Sequence, residues 1–326
     1  MEYKIAVITP QYKNDYLTDT VIDGLLSLQQ EDKKLEFYMP SAYFTSLSVK
    51  KVSLDRQDFK DFAGTADLIL FCWGKGNTDY DLAGEIGRFD KTVFIDGSEI
   101  GKNGRFDSGI QKQILDGTYE GNGKIDKEML QKCALYFRRE KPYVDGILPL
   151  PFGIESKYSK YYSPDTKKDM DFFCVFGQDE YPVLRKQVQE VLIEFCEEND
   201  FSCFTKKTDQ DNFYRTLARS KVGISVGGGG FDTARFWEIL GNNCILLTEK
   251  IDIYEEGSNR LKYDTVWQFR DLEDFKIQLD KIGVFLKNTY NQKNLQGEYL
   301  KIMRDHSSKS RAMEIIQKAR EKGIIQ

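Results

Sequence analysis

The sequence is poor in the residues that most metal centres and nucleophilic enzymes use. Its 326 residues include one histidine, His306, and six cysteines that form no Cys-x-x-Cys pair. A multi-histidine metal site and a Ser-His or Cys-His nucleophile pair are therefore not supported. We expect reduced, structural cysteines, no essential metal ion and no cofactor.

Long apolar runs are also missing. The longest, residues 66–73, is interrupted by Asp67 and is far shorter than the roughly 20 residues of a membrane span, so it predicts a buried strand. The first residues enter a strand pattern without the features of an export signal. These patterns predict a cytoplasmic protein without a transmembrane segment, and peripheral membrane contact stays open.

A strong positive charge and the common phosphate-binding motifs are absent as well. The net charge of -5 comes from 47 basic and 52 acidic residues spread along the chain, which does not favour a nucleic-acid partner. Residues 9–12 stand where a dehydrogenase would carry Gly-x-Gly-x-x-Gly, and no Gly-x-x-x-x-Gly-Lys-Ser/Thr loop is present. Dehydrogenase and NTPase interpretations are weakened accordingly.

Short apolar runs alternate with helix-compatible stretches, which predicts an α/β fold with parallel sheets. In the first half the predicted strands are 5–9, 35–39, 68–72 and 92–96, with a helix over 17–28 and an irregular loop over 101–123. In the second half the predicted strands are 172–177, 203–204, 222–226, 243–247 and 266–269, with helices over 183–197, 209–219, 233–240 and 272–286.

We therefore predict two Rossmann-like domains that face each other across a cleft. The first domain spans residues 1–155, where two prolines mark a strand end and a hinge, and the second spans 156–290. The helical tail, 291–326, could cap either domain or pass back to the first.

A run of four glycines, residues 227–230, follows a predicted strand and precedes a helix that Asp232 or Thr233 could cap. Glycines let the backbone approach a ligand, and the free N–H groups of a helix start suit a diphosphate. Arg235 could bind phosphate, and Glu238, on the same helix face, could accept hydrogen bonds from ribose hydroxyls. The alternative is an exposed Arg-Glu pair on a surface helix.

The stretch Gly-Gly-Phe-Asp-Thr-Ala-Arg-Phe-Trp-Glu-Ile-Leu-Gly-Asn-Asn-Cys-Ile-Leu-Leu-Thr-Glu, residues 229–249, resembles the nucleotide-binding segment of GT-B-fold glycosyltransferases. The similarity is greatest to the group 1-like family that includes the spore-protein CgeB type, and it covers residues 165–285. The segment 171–177, followed by Arg185 on a helix, also resembles the start of that family's C-terminal domain.

The resemblance implies a nucleotide-sugar donor held by the second domain. It places Glu238 at the ribose, and it places Gly228, Gly229, Gly230, Arg235 and Arg185 around the diphosphate, although Arg185 could equally be a solvated helix residue. Gly177 and Asp232 are further candidates for the nucleotide site. Many retaining relatives carry a further glutamate eight residues before the ribose-binding one. Gly230 occupies that position here, so a retaining mechanism cannot be carried over.

Acceptor chemistry would fall to the first domain, where an inverting transferase needs a proton acceptor. Because histidine is scarce, the candidates are carboxylates after predicted strands: Asp15, Asp96 and Glu99. Each could equally cap a turn. Lys13 and Lys75 could touch phosphate or an anionic acceptor, although solvated lysines are commoner.

The sequence as a whole favours metal-independent sugar transfer from a nucleoside diphosphate sugar to an unidentified acceptor, whether a glycan, a lipid-linked molecule or a protein. Two alternatives stay open. One is a nucleotide-sugar epimerase on the same architecture, and the other is a non-catalytic nucleotide-binding or scaffold protein.

Overall fold

The computed structural model of the chain describes residues 3–74, 76–99, 113, 118, 124–141, 144–177, 183–250, 253–254 and 258–326. The predicted loop over 101–123 and Lys75 lie almost entirely outside these residues. The chain forms two compact units. The first consists of Met1–Gly153, Ile253–Glu255 and Ser307–Gln326, and the second of Ile154–Asp252 and Glu256–His306.

The first unit contains a seven-stranded parallel sheet in the order β3-β2-β1-β4-β5-β6-β7. Its strands are β1 (Tyr3–Ile8), β2 (Leu35–Pro40), β3 (Ser53–Leu54), β4 (Leu68–Cys72), β5 (Thr92–Asp96), β6 (Leu135–Arg138) and β7 (Ile147–Pro149). β4 and β5 are buried along their whole length, as expected for parallel strands covered on both faces. The strand order reverses between β1 and β4, and ligands of such sheets bind at the carboxyl ends of the strands at this point.

Helices cover this sheet and include one from the far end of the sequence. They are α1 (Tyr16–Glu31), α2 (Arg56–Thr65), α3 (Asn77–Ile86), α4 (Lys127–Lys132) and α10 (Ser308–Glu321). A side chain at Gly24 of α1 would lie 2.2 Å from the carbonyl oxygen of Ser308, so glycine permits the close approach of α1 and α10. The buried Arg311 of α10 donates to the carbonyl oxygens of Pro151 and Phe152, which fastens α10 to the same unit.

The second unit contains a five-stranded parallel sheet in the order β12-β11-β10-β8-β9. Its strands are β8 (Met170–Phe173), β9 (Cys203–Phe204), β10 (Ser220–Ser225), β11 (Ile245–Glu249) and β12 (Val266–Phe269). Its helices are α5 (Val183–Asn199), α6 (Gln210–Ala218), α7 (Ala234–Gly241), α8 (Leu272–Asn288) and α9 (Gln292–His306). The strand order reverses between β8 and β10, which makes their carboxyl ends the expected ligand edge.

The α/β fold with two parallel sheets is confirmed, and the differences from prediction are local. The predicted strand 172–177 is shorter, because β8 ends at Phe173. The helical tail forms two helices, since the Ser307 side chain accepts the Ser310 N–H and starts α10. The structure also adds α2, α3, α4, β3, β6 and β7.

The six cysteines are all free. Among the residues that the structure describes, no helix is both long and apolar enough to cross a membrane.

Candidate functional site

The glycine run follows β10 at the ligand edge of the second sheet. The Gly227 N–H donates to Glu249 Oε2 at 3.0 Å, and the Gly228 N–H donates to the carbonyl oxygen of Gly230 at 2.9 Å. A Cβ atom at Gly228 would lie 2.6 Å from Arg185 Nη2. The Arg185 guanidinium therefore lies close to the backbone at Gly228, and a larger residue there would displace it.

Arg185 of α5 lies across this loop. Its Nε and Nη2 donate to the carbonyl oxygens of Gly227 and Val226 at 3.1 and 3.3 Å. Its guanidinium carbon lies 5.2 Å from the ring centre of Phe176. Burial, together with the like charge of Arg235, lowers the pKa of Arg185. Two guanidinium groups that influence each other at a partly buried edge favour the binding of an anion.

Arg235 stands in the first turn of α7, with its guanidinium carbon 4.2 Å from the ring centre of Phe213. Its Nη1 donates to Glu238 Oε2 at 2.5 Å. Its Nε is buried and has no hydrogen-bond partner among the described residues. A planar guanidinium with a spare donor is well suited to an oxyanion.

Glu238 is 9% exposed, and its second oxygen, Oε1, accepts a hydrogen bond from the Tyr214 hydroxyl at 2.8 Å. Burial and the nearby Glu238 raise the pKa of Tyr214, so the hydroxyl stays protonated as the donor. Arg235 and Glu238 do form the pair that a surface helix would show. Their side chains are only 15% and 12% exposed, however, so this is not an exposed surface pair.

Asp232 has a different role from the one expected. Its side chain is fully buried and accepts a hydrogen bond from Trp237 Nε1 at 2.7 Å. It therefore supports α7 from within, which corrects its assignment to ligand binding. Thr233 is the N-cap residue, and its side chain makes no capping hydrogen bond. Gly177 and Gly229 are exposed at the carboxyl ends of β8 and β10.

Three further residues of this edge were not identified as site residues from the sequence. Glu249 holds the glycine loop, Tyr214 positions Glu238, and Phe213 supports Arg235. Glu249 lies two residues after the predicted strand 243–247 and is the last residue of β11, and this position near the strand end was the available signal. Phe213 and Tyr214 lie on a neighbouring helix, and nothing in the local pattern indicated their contacts.

Asp15 occupies the ligand edge of the first sheet. It caps α1, with its Oδ2 accepting hydrogen bonds from the Thr18 N–H and hydroxyl, both at 2.8 Å. A side chain at Gly97 would lie 3.8 Å from Asp15 Oδ1 and 3.5 Å from the ring of Trp73. Burial outweighs these hydrogen bonds and raises the pKa of Asp15 to about 6. A carboxylate with this pKa is suited to accept a proton near neutral pH.

The other two carboxylate candidates already have protein partners. Asp96 accepts hydrogen bonds from the Ser98 N–H at 2.8 Å and from the Tyr136 hydroxyl at 2.7 Å. Glu99 pairs with Arg139 at 2.6 Å, and the Arg139 guanidinium carbon lies 4.0 Å from the ring centre of Phe152. Asp15 is likewise held by Thr18, so all three carboxylates have protein partners. The pKa of Asp15, which burial raises to about 6, makes it the stronger candidate for proton transfer.

Comparison with known proteins agrees with this architecture. No protein-family model and no curated protein matches the chain significantly. Among solved structures, a glycosyltransferase from Rickettsia africae matches with a TM-score of 0.59 and 10% identity, covering 98% of both chains. An alpha-glucosyltransferase in complex with UDP-glucose and DNA containing an abasic site matches with a TM-score of 0.62 and 8% identity, covering 99% of both chains.

The chain has the GT-B fold. A putative UDP-N-acetylglucosamine 2-epimerase from Listeria monocytogenes is also similar, with a TM-score of 0.53 and 10% identity over 99% of this chain and 98% of that one. At these identities the similarity concerns the fold alone. The narrower resemblance to the CgeB type is not confirmed.

Proposed function

We propose that the protein is a glycosyltransferase whose second unit binds a nucleoside diphosphate sugar. One observation carries this proposal: Arg185 lies across the glycine loop and Arg235 stands in the first turn of the helix that follows it, at the point where the strand order reverses. A diphosphate there would relieve the repulsion between the two cations. Further support comes from the buried Glu238 on the same helix turn as Arg235.

In this proposal the diphosphate lies against the glycine loop and the start of α7. The two guanidinium groups neutralise its charge and stabilise the nucleoside diphosphate as it leaves, which is the role that a metal ion has in other transferases. The proposed reaction is therefore independent of metal ions.

Glu238 is proposed to accept hydrogen bonds from the ribose hydroxyls. A carboxylate offers about four acceptor positions, and the bonds from Tyr214 and Arg235 occupy two of them. Those two contacts also fix the orientation of the carboxylate before the nucleotide arrives. We assign the acceptance of the acceptor's proton to Asp15 of the first unit, whose pKa of about 6 keeps it ionised at neutral pH.

Uridine nucleotides are the first donors to test, because one similar transferase is described in complex with UDP-glucose. A second candidate function is nucleotide-sugar epimerisation, favoured by the similar fold of the putative 2-epimerase. An epimerase would convert the donor with no acceptor present, so incubation of each donor alone, followed by analysis of the sugar, separates the two functions.

The proposal is tested by measuring the melting temperature with UDP, GDP, ADP, TDP, CMP and NAD. A ligand that binds only the folded state raises this temperature. At a ligand concentration of 100 times the dissociation constant, the folded state is stabilised by about 2.7 kcal/mol. We expect a rise with one nucleoside diphosphate and its loss in Glu238→Ala. Glu273→Ala, an exposed change in the same unit, is the matched control. An unchanged nucleotide affinity in folded Glu238→Ala would remove the role assigned to Glu238, and no rise with any nucleotide would favour a non-catalytic protein.

A further inference from the structure

The exposed aromatic side chains of the described residues all lie in one part of the chain. Tyr12, Tyr16 and Phe44 are 69%, 55% and 58% exposed, whereas the other large exposed hydrophobic residues are aliphatic. Tyr12 follows β1, Phe44 follows β2, and Tyr16 begins α1. All three therefore belong to the carboxyl edge of the first sheet. The Tyr16 ring packs on Phe152, with the ring centres 6.1 Å apart, whereas the rings of Tyr12 and Phe44 meet each other, and we call that pair the aromatic platform.

The backbone holds the platform in place although its rings are exposed. The Tyr12 N–H donates to the carbonyl oxygen of Ala42 at 2.8 Å, and the Phe44 N–H donates to that of Lys13 at 3.3 Å. The rings of Tyr12 and Phe44 meet edge to face, with their centres 6.3 Å apart. Tyr12 also has a φ of 58°, a left-handed conformation that costs free energy in a residue with a side chain. The fold thus maintains a strained residue whose ring is left in solvent.

The platform is connected to the candidate base. The Asp15 N–H donates to the Tyr43 hydroxyl at 3.2 Å, and that hydroxyl donates to Asp19 Oδ1 at 2.8 Å. Tyr43 is adjacent to Phe44, and Tyr16 is adjacent to Asp15. The chain segments that carry the platform therefore meet at the backbone of residue 15, the proposed base.

We propose that the aromatic platform binds the acceptor and that the acceptor is a saccharide. This inference rests on the proposed function. The C–H face of a sugar ring packs on an aromatic ring, while its hydroxyls require polar neighbours. Here the Tyr12 and Tyr16 hydroxyls, with the exposed Lys13 and Asn14 between them, supply such neighbours.

The chemistry of the platform argues against the other acceptor classes. An acyl chain would require a continuous apolar groove, which polar residues at positions 13 and 14 interrupt. A polyanion is disfavoured by the net charge of -5.

The test is saturation-transfer NMR of the full chain with UDP present, using cellobiose, lactose, N,N′-diacetylchitobiose and methyl α-mannoside as probes. We expect transfer from aromatic protons to at least one of these sugars. Its affinity should fall about 10-fold in Tyr12→Ala and in Phe44→Ala. It should change less than about 3-fold in Met313→Ala, which removes an exposed aliphatic side chain of the same unit.

Absence of contact with all four sugars would overturn the proposal, as would sugar binding that Tyr12→Ala and Phe44→Ala leave unchanged. Binding of a single-stranded oligonucleotide or of octyl-chain micelles that these variants abolish would assign the platform to those ligands instead. The nucleotide-induced rise in melting temperature should be the same in every variant. Its absence from the wild type would count against the proposed function, not against the platform.

Discussion

The carboxyl edges of the two sheets carry partly or fully buried groups of opposite charge. In the first unit a single carboxylate, Asp15, is 5% exposed, and burial raises its pKa to about 6. In the second unit two guanidinium groups, Arg185 and Arg235, are partly buried beside four glycines, and burial lowers the pKa of Arg185. The first edge is suited to gain and lose a proton, and the second to hold a permanent negative charge. The same topological position therefore supports both chemistries, and burial with local charge decides between them.

The largest effect should come from removing the proton acceptor. Asp15→Asn keeps the N-cap of α1, because asparagine caps as well as aspartate. It removes the base, and kcat should fall about 10²- to 10⁴-fold. Release of the nucleoside diphosphate from the donor measures this, with nucleotide binding expected to stay unchanged. A loss of less than about 3-fold would exclude Asp15 as the base.

The same substitution should change how stability depends on pH. The folded state holds the Asp15 proton up to a pKa of about 6, whereas the unfolded chain loses it near 3.8. This group therefore lowers the stability of the wild type as pH rises from about 4 to above 6, by about 3 kcal/mol at most. Denaturant unfolding at several pH values should show Asp15→Asn gaining stability relative to the wild type across that window. A difference that does not vary with pH would show that Asp15 ionises as it does in water.

A smaller effect, on nucleotide binding, is expected from a substitution at Gly228 in the glycine loop of the second unit. A methyl group at Gly228 would lie 2.6 Å from Arg185 Nη2 and push the guanidinium away from the loop. Gly228→Ala should weaken nucleoside diphosphate binding about 10-fold, which calorimetric titration would measure.

Gly297→Ala is the control, since nothing lies within 4 Å of its added methyl group and it sits in the helix α9. It should leave binding unchanged and stabilise the protein by about 0.5–1 kcal/mol. Equal nucleotide affinity in the two variants would contradict the position proposed for the diphosphate.

Removal of metal ions should have the smallest effect. In metal-dependent transferases a metal ion neutralises the leaving diphosphate. If Arg185 and Arg235 do so here, the transfer rate in excess EDTA should equal the rate in added Mg²⁺ or Mn²⁺ within about 2-fold. A strict metal requirement would show that the two cations do not suffice.

The sequence predicted the elements of the second sheet better than those of the first. In the first sheet, short apolar runs identified β4 and β5 at their observed bounds. In the second sheet, strand-helix alternation located every strand. In the first unit the two-residue β3 was not predicted, and β7 was indicated only as a strand end at the two prolines. Length alone does not explain this difference, since the two-residue β9 was predicted. The break between α9 and α10 at Ser307 was not predicted, because one serine within a helical pattern resembles any surface position.

The candidate sites show the same limit. Arg185, Arg235 and Glu238 were identified because they follow strand ends in a recognisable motif. The difference between Asp15 and Asp96 could not be predicted, since both follow strands and both could cap a turn. The two carboxylates differ in their hydrogen-bond partners. Asp96 accepts a hydrogen bond from Tyr136, which lies on a strand 40 residues away along the chain. Burial of Asp232 likewise depends on its contact with Trp237 inside the fold.

The position of α10 has a consequence for how the protein is made. All strands of the first unit lie before Gly153. The unit is complete only when the helix Ser308–Glu321, from the far end of the sequence, packs on α1. The intervening chain takes the ribosome roughly 10–30 s at 5–20 residues per second. Until then we expect the surface of α1 around Gly24 to lack its partner helix, so that the first unit completes its fold only after the second unit has been synthesised.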